Sequence, residues 1–323
     1  MIITCGKCRT KYRIDDNSIH KNEFKVRCTK CNHSFIVKKP ASDSQVPPSL
    51  KNRANESAPA VRKQYPDNPN CRVITICNQK GGVAKTTTCL NLAASLVLMK
   101  KRVLVVDFDI QSNMTLLLGH KDARSFFDVV HSENDTLSDY LVKTRDGIWL
   151  LPSNNKMALL SKKHLPNENF EYMLRERLLE VKSKFDYILI DTPPSGDFYT
   201  LNALLASNTA VVPTPCDYLS LNGVAHIEGM INVINEKIDH KIDMRVLITL
   251  YEPENTVGKV VLSKIKSKYQ SKVYKTIITK DQKVQESQIV HTPTVFYSQE
   301  SIAARQYQQL ASEIEYTLNA TVS

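Results

Sequence analysis

From Cys71 onward the chain alternates between two hydrophobic rhythms. Short apolar runs recur at Val73–Cys77, Val103–Val106, Tyr187–Ile190, Ala210–Val212, Val246–Leu250 and Val273–Ile278. Stretches with helical spacing lie between most of them, among them Thr87–Lys100, Glu171–Lys184 and Leu221–Ile238. Runs that are apolar at every residue, rather than every second one, mark strands buried on both faces. Strands alternating with helices predict an α/β fold, a mostly parallel doubly wound sheet covered on both sides. Ligands of such sheets bind beyond the carboxyl ends of the strands. Two more helices are predicted over Thr256–Tyr269 and Ile302–Leu318.

The first 70 residues follow another pattern. Alternation at Lys11–Ile14 and Ser34–Val37 fits two short strands. Residues 40–70 hold six prolines among Ser, Asn, Ala and Lys, with almost no large apolar side chain. Such a stretch cannot bury enough surface to order itself and reads as a flexible linker. The expected organisation is a small module at 1–39, a linker at 40–70 and a large domain at 71–323.

Cysteine spacing gives the small module its chemistry. Cys5-x-x-Cys8 and Cys28-x-x-Cys31 are two pairs separated by 19 residues. Two such knuckles can place four thiolates at the corners of a tetrahedron, which suits structural zinc in a zinc ribbon. A segment this small has too little core, and zinc would supply about 10–16 kcal/mol of folding energy. His20 and His33 are read as solvent-facing or knuckle residues, because the four sulfurs fill the shell. Cys71, Cys77, Cys89 and Cys216 show no paired spacing and read as small buried apolar residues. Trp149 reads as core.

Charge is uneven. Residues 1–70 carry 14 Lys/Arg against 6 Asp/Glu, and residues 259–283 hold eight lysines against one Asp. Both regions suit a polyanionic partner. No apolar run reaches the ~20 residues that span a bilayer. The N-terminus lacks a secretory pattern, so a cytoplasmic location with reduced cysteines is expected.

The stretch Lys80-Gly81-Gly82-Val83-Ala84-Lys85-Thr86-Thr87 joins an apolar strand to a helix. Glycines there let several N–H groups converge at a helix N-terminus, an anion site. Lys85 can reach terminal phosphates and Thr86 can ligate magnesium. The ordinary phosphate-loop pattern fails, since Gln79 and Ala84 stand where it has glycine. The pattern Lys-Gly-Gly-x-x-Lys-Thr instead resembles the deviant Walker A box of the ParA/MinD family of P-loop ATPases. Asp107-Phe108-Asp109-Ile110-Gln111-Ser112-Asn113 resembles a second family motif, with Ile110 in place of proline. Tyr187-Ile188-Leu189-Ile190-Asp191-Thr192-Pro193-Pro194 resembles its Walker B strand.

That resemblance implies the following. ATP and Mg²⁺ bind at the loop, with Thr86 and Asp191 holding the metal and Asp107 near it. Asp109 positions the attacking water. Lys80 crosses to the nucleotide of a second subunit, so ATP drives homodimerisation. Pro253 and Asn255 are where adenine contacts are expected. In partition ATPases a basic surface of the dimer holds DNA without sequence preference, which points to Lys264, Lys268, Lys275, Lys280 and Lys283. The family reading is an ATPase that positions chromosome, plasmid or protein-cluster cargo on the nucleoid, stimulated by a ParB-like partner or adaptor. A membrane-bound MinD-like division regulator and a transcription regulator that reads DNA with its ribbon are the alternatives. The C-terminal Glu313–Asn319 is acidic and polar, which disfavours membrane docking.

Overall fold

The computed structural model describes residues 2–13, 23–38, 68–164, 169–195, 198–238 and 240–320. The expected linker, 68–70 excepted, and His20 lie outside them. The chain divides into two compact units, Met1–Pro47 and Pro48–Ser323.

In the first unit, β1 (Ile2–Thr4) pairs antiparallel with β2 (Lys11–Arg13), and β3 (Glu23–Arg27) with β4 (Ser34–Lys38). Between the strands of each hairpin lies a cysteine turn. The Arg9 N–H donates to Cys5 O and the Asn32 N–H to Cys28 O, each at 2.9 Å. Arg9 and Asn32 both sit at φ 57°, the left-handed conformation that closes so short a turn. The β3–β4 register puts Val26, Phe35 and Val37 on one face and Lys25, Arg27 and Ile36 on the other.

The second unit contains, in order, β5 (Arg72–Ile76), α1 (Lys85–Leu98), β6 (Val103–Asp107), α2 (Asn113–Leu117), α3 (Phe126–Val130), β7 (Val142–Lys143), β8 (Trp149–Leu151), α4 (Ala158–His164), α5 (Met173–Leu179), β9 (Tyr187–Asp191), α6 (Phe198–Leu205), β10 (Thr209–Pro215), α7 (Ser220–Lys237), β11 (Asp243–Tyr251), α8 (Thr256–Tyr269), β12 (Val273–Thr279), α9 (Gln282–Ile289), α10 (Thr294–Tyr297) and α11 (Ile302–Ala320). The sheet order is β12-β11-β10-β5-β9-β6-β8-β7. Every neighbouring pair is parallel except β7 with β8. The expected doubly wound sheet is therefore present. Strand β5 stands between β9 and β10, where the winding reverses, so the binding crevice belongs at its carboxyl end.

The core packs α1 and α11 against this sheet. Ile74, Leu92, Leu96, Val105, Leu189 and Leu247 are all 0% exposed. Burying each contributes roughly 1.5–3 kcal/mol. Helix α11 also finishes the sheet edge. The Glu313 carboxylate accepts the backbone N–H groups of Lys275 (2.7 Å) and Thr276 (2.9 Å), and Gln306 Oε1 accepts that of Thr279 (2.8 Å).

Four expectations change. The β7–β8 pair is additional, and its Asp146-Gly147 turn, with Gly147 at φ 82°, is the sequence signal for it. The helix expected over 171–184 is broken into α5 flanked by 3₁₀ turns at Phe170–Tyr172 and Lys182–Lys184. Val181, 0% exposed, is drawn into the core there, and tertiary burial overrides helix propagation. Trp149 is half-buried on β8, its ring edge-on to Phe185. Cys216 is half-buried rather than buried, while Cys71, Cys77 and Cys89 are in the core.

Candidate functional site

Residues 77–84 connect the carboxyl end of β5 to α1 and form the loop whose backbone faces the crevice. Gly82 has φ 71° and Ala84 φ 68°. Ala84 thus adopts the left-handed conformation that glycine gives the ordinary phosphate loop, at a cost of roughly 1–2 kcal/mol. Helix α1 starts at the next residue with no side-chain cap, so its first N–H groups stay available to an anion.

The loop is moored upstream. Asn78 Nδ2 donates to Pro213 O (2.8 Å), and Asn78 Oδ1 accepts the Lys80 N–H (3.0 Å). Gly223 of α7 lies so close that a Cβ there would come within 2.5 Å of Asn78 Oδ1. Gln79 bonds His226 of the same helix. Lys80 then forms an ion pair with Asp217, in the loop between β10 and α7. Asp217 also accepts from Ser220 Oγ (2.9 Å) and the Leu219 N–H (3.1 Å).

Lys85, 7% exposed, donates from Nζ to Lys80 O at 3.2 Å. Burial holds its ammonium below the usual lysine range, opposed by the Asp191 and Asp109 carboxylates. Thr86 Oγ1 donates to Asp191 Oδ2 at 2.7 Å, while the buried Asp191 Oδ1 has no hydrogen-bond partner. Burial, then the neighbouring Asp107, pushes the Asp191 carboxyl well up. Asp107 and Asp191 are directly paired across β6 and β9. Asp191 and Asp109 thus act on the one Lys85 ammonium, and Asp107 adds a third carboxylate beside Asp191. A hydroxyl beside a carboxylate with a spare oxygen fits a magnesium ion, which would supply the missing positive charge.

A cleft of about 580 Å³ opens over the loop, enough for a nucleotide's phosphates, and Gly81, Gly82, Ala84, Lys85, Thr86, Thr87 and Asp109 line it. Val83 is buried instead, its carbonyl accepting Thr249 Oγ1 at 3.1 Å. Asp109 Oδ1 accepts the Gln111 N–H at 2.9 Å. A second cleft of about 490 Å³ continues from the first, sharing Ala84, Thr87, Leu250, Val284 and Gln285.

Asp107 lies beside Asp191 with its own oxygens engaged, and two expected residues, Pro253 and Asn255, are placed differently. Asp107 is 0% exposed, and its Oδ2 accepts both the N–H (2.8 Å) and Oγ1 (2.6 Å) of Thr115, which ties β6 to α2. Pro253 and Asn255 line neither cleft. Asn255 is committed elsewhere: its Oδ1 accepts the Gly258 N–H at 3.0 Å and caps α8. The second cleft is walled instead by the β12–α9 segment, including Thr279, Lys280, Asp281 and Gln282. That segment follows the carboxyl end of a strand, and this position was the signal available for it. Asp217 carried no comparable sequence signal.

Helix α8 buries Val261, Ile265 and Tyr269 and exposes Lys259, Lys264, Lys266 and Lys268. Lys275 is also exposed. Lys280 and Lys283 form surface ion pairs with Glu252 (3.4 Å) and Glu286 (2.7 Å). Such pairs are worth only about 0–1 kcal/mol and would not hold those lysines against a polyanion.

In the first unit the sulfurs of Cys5, Cys8, Cys28 and Cys31 lie within 4.8 Å of one another. Cys8 and Cys28 are 3.5 Å apart and Cys5 and Cys31 3.6 Å. A zinc ion with four Zn–S bonds of about 2.3 Å needs sulfurs about 3.8 Å apart. Tyr12 OH lies 3.0 Å from Cys28 Sγ, a contact that favours the thiolate there. Against the His33 backbone hydrogen bond, burial and crowding by the other three sulfurs raise the Cys31 thiol in the absence of a cation. The set fits zinc-bound thiolates.

Comparison with known proteins agrees with both sites. The AAA domain family matches residues 71–244, and a zinc-ribbon domain family matches residues 1–36. The sporulation initiation inhibitor protein Soj of Bacillus subtilis is 33% identical over 247 residues, covering 75% of this chain and 98% of Soj. Cobyrinic acid a,c-diamide synthase of Mycobacterium smegmatis, solved with bound ADP and magnesium, is 31% identical with a TM-score of 0.65, covering 75% of this chain and 93% of that one. The cell division ATPase MinD of Pyrococcus furiosus is 25% identical with a TM-score of 0.60, covering 76% and 99%. The chain belongs to the ParA/MinD family of P-loop ATPases and carries a zinc-ribbon module at its N-terminus.

Proposed function

We propose that this protein is an ATP-switched partition ATPase whose dimer holds DNA without sequence preference and positions a cargo. The observation that carries the nucleotide chemistry is the Thr86–Asp191 pair, with its spare carboxylate oxygen, beside the Lys85 cleft. Lys85 and the N–H groups of Gly81 to Thr87 hold the phosphates of ATP. Thr86 and Asp191 would hold Mg²⁺, which would supply positive charge against the phosphates. Asp109, on the cleft wall, orients the attacking water. The base lies in the second cleft, against Leu250 and the Thr279–Gln282 segment.

Lys80 does not line its own protomer's cleft, and its ammonium lies with Asp217. In this reading it serves the nucleotide of a second copy, and dimerisation follows ATP binding. Exposed Lys264, Lys268 and Lys275, with Lys280 and Lys283, then contact DNA phosphates. The names of relatives support the partition role, among them the chromosome-partitioning ATPase Soj of Treponema pallidum, 30% identical. A ParB-like protein or adaptor speeds hydrolysis, and the protein works in the cytoplasm on the nucleoid. Among the described residues no helix is long and apolar enough to cross a membrane.

The test is DNA binding by Lys85→Ala and wild type in ATP and in ADP. Wild type should bind more tightly in ATP than in ADP, and Lys85→Ala should lose that difference. ATP-dependent binding by Lys85→Ala would overturn the switch.

A further inference from the structure

We propose that the outer face of the zinc ribbon is a second nucleic-acid contact surface, engaging the phosphate backbone independently of the bound nucleotide. Its charge is the starting point. Among the described residues of this unit, Glu23 is the only acidic one, against four lysines or arginines in 2–13 and four in 23–38. A zinc ion with four thiolates carries a net charge of −2. Lys7 and Lys30 occupy the same position in the two knuckles, are both exposed, and offset that charge. Arg9, Lys11, Lys25 and Arg27 are exposed as well. They are an unbalanced positive surface.

The strand register gathers part of this charge. Lys25 and Arg27 share their face of the β3–β4 hairpin with one acidic position, Glu23, and with Ile36, directly opposite Lys25 and 66% exposed. The opposite face carries Val26, Phe35 and Val37, so the hairpin is amphipathic, with its cations outward. Arg9 and Lys11 extend the charge onto the first knuckle and β2. Cations spread over both hairpins, outnumbering the one described carboxylate, match a repeating anion better than one carboxylate-bearing segment. Ile36 gives a sugar an apolar surface between the phosphate contacts.

The test uses the zinc-loaded full chain and a short random-sequence DNA duplex, with affinity followed against salt in ADP and in ATP. Lys25→Ala/Arg27→Ala should weaken binding in both nucleotide states and reduce the slope of log affinity on log salt by roughly 1–2. Arg9→Ala/Lys11→Ala should do the same, and Lys25→Arg/Arg27→Lys should retain the slope. Zinc content and basal ATPase rate should not change. Lys264→Ala/Lys268→Ala should act only in ATP, so a failure of either surface is distinguishable from failure of the other. Unchanged affinity and slope in both ribbon double variants would overturn the proposal. Loss of poly-glutamate binding with DNA binding intact would mark an acidic protein as the partner, and would overturn it equally.

Discussion

Lys80 and Asp217 form an ion pair within one protomer, joining the residue before the glycines of the phosphate loop to the turn that starts α7. Burial works against the Asp217 charge, but hydrogen bonds from Lys80 and Ser220 hold its carboxyl below the usual range. In the proposed dimer, Lys80 would have to give up this partner before reaching a second copy's nucleotide.

Asp217→Asn should therefore favour the dimer. The two side chains are 34% and 45% exposed, so the pair is worth at most about 1 kcal/mol. The ATP concentration that gives half dimer, measured by sedimentation, should fall by up to about five-fold. A rise instead would assign Asp217 a contact within the dimer.

Asp109→Ala should separate binding from hydrolysis. Its carboxylate is on the cleft wall, while Lys85 and Thr86 are untouched. Turnover should drop by at least about 10²-fold, the low end for a positioned proton acceptor. ATP should still produce a dimer, now long-lived. A variant that hydrolyses normally would remove Asp109 from the reaction.

Gly223→Ala distinguishes a helix effect from a site effect. An exposed helical glycine replaced by alanine gains about 0.5–1 kcal/mol. Here the new Cβ would meet Asn78 Oδ1 at 2.5 Å, and Asn78 holds the Lys80 N–H. The variant should be destabilised by about 1–3 kcal/mol and bind ATP more weakly, with turnover down by ten- to a hundred-fold on the order expected for a 1 Å displacement. A higher Tm with full activity would show that Asn78 has room to move.

Zinc removal should affect one unit only. Chelation takes away about 10–16 kcal/mol of apparent binding energy, more than so small a hairpin pair can replace. Hydrogen exchange should become fast in 2–13 and 23–38, with the amides of β5, β6 and β9 unchanged. Slow exchange in the stripped ribbon would mean that packing suffices.

Much of this was legible in the chain because it rests on local chemistry. Gly81, Gly82, Lys85 and Thr86 lie in one short stretch, Asp191 ends an apolar run and Asp109 stands just past another, so strand periodicity carries them to the crevice. The cysteine pairs are equally local. Asp107 has the same sequence setting as Asp109, yet only the fold brings Thr115 onto it. Asn255 follows a strand like any candidate base contact, but its amide caps α8. Asp217 lies 137 residues from Lys80 in the chain, and no spacing rule links them. Lone polar residues with long-range partners are where reading along the chain stops.

The rims of the large sheet carry a last consequence. On one side Glu313 and Gln306 already occupy amides of β12, and on the other β7 is a strand of two residues. Lateral growth, strand to strand, is thus closed to a second molecule at the first rim and has little to grip at the second. The proposed dimer would then meet through the loops at the strand tips, beside the phosphate-loop cleft. Such a dimer would make its stoichiometry answer to its fuel by geometry alone, without a separate sensor.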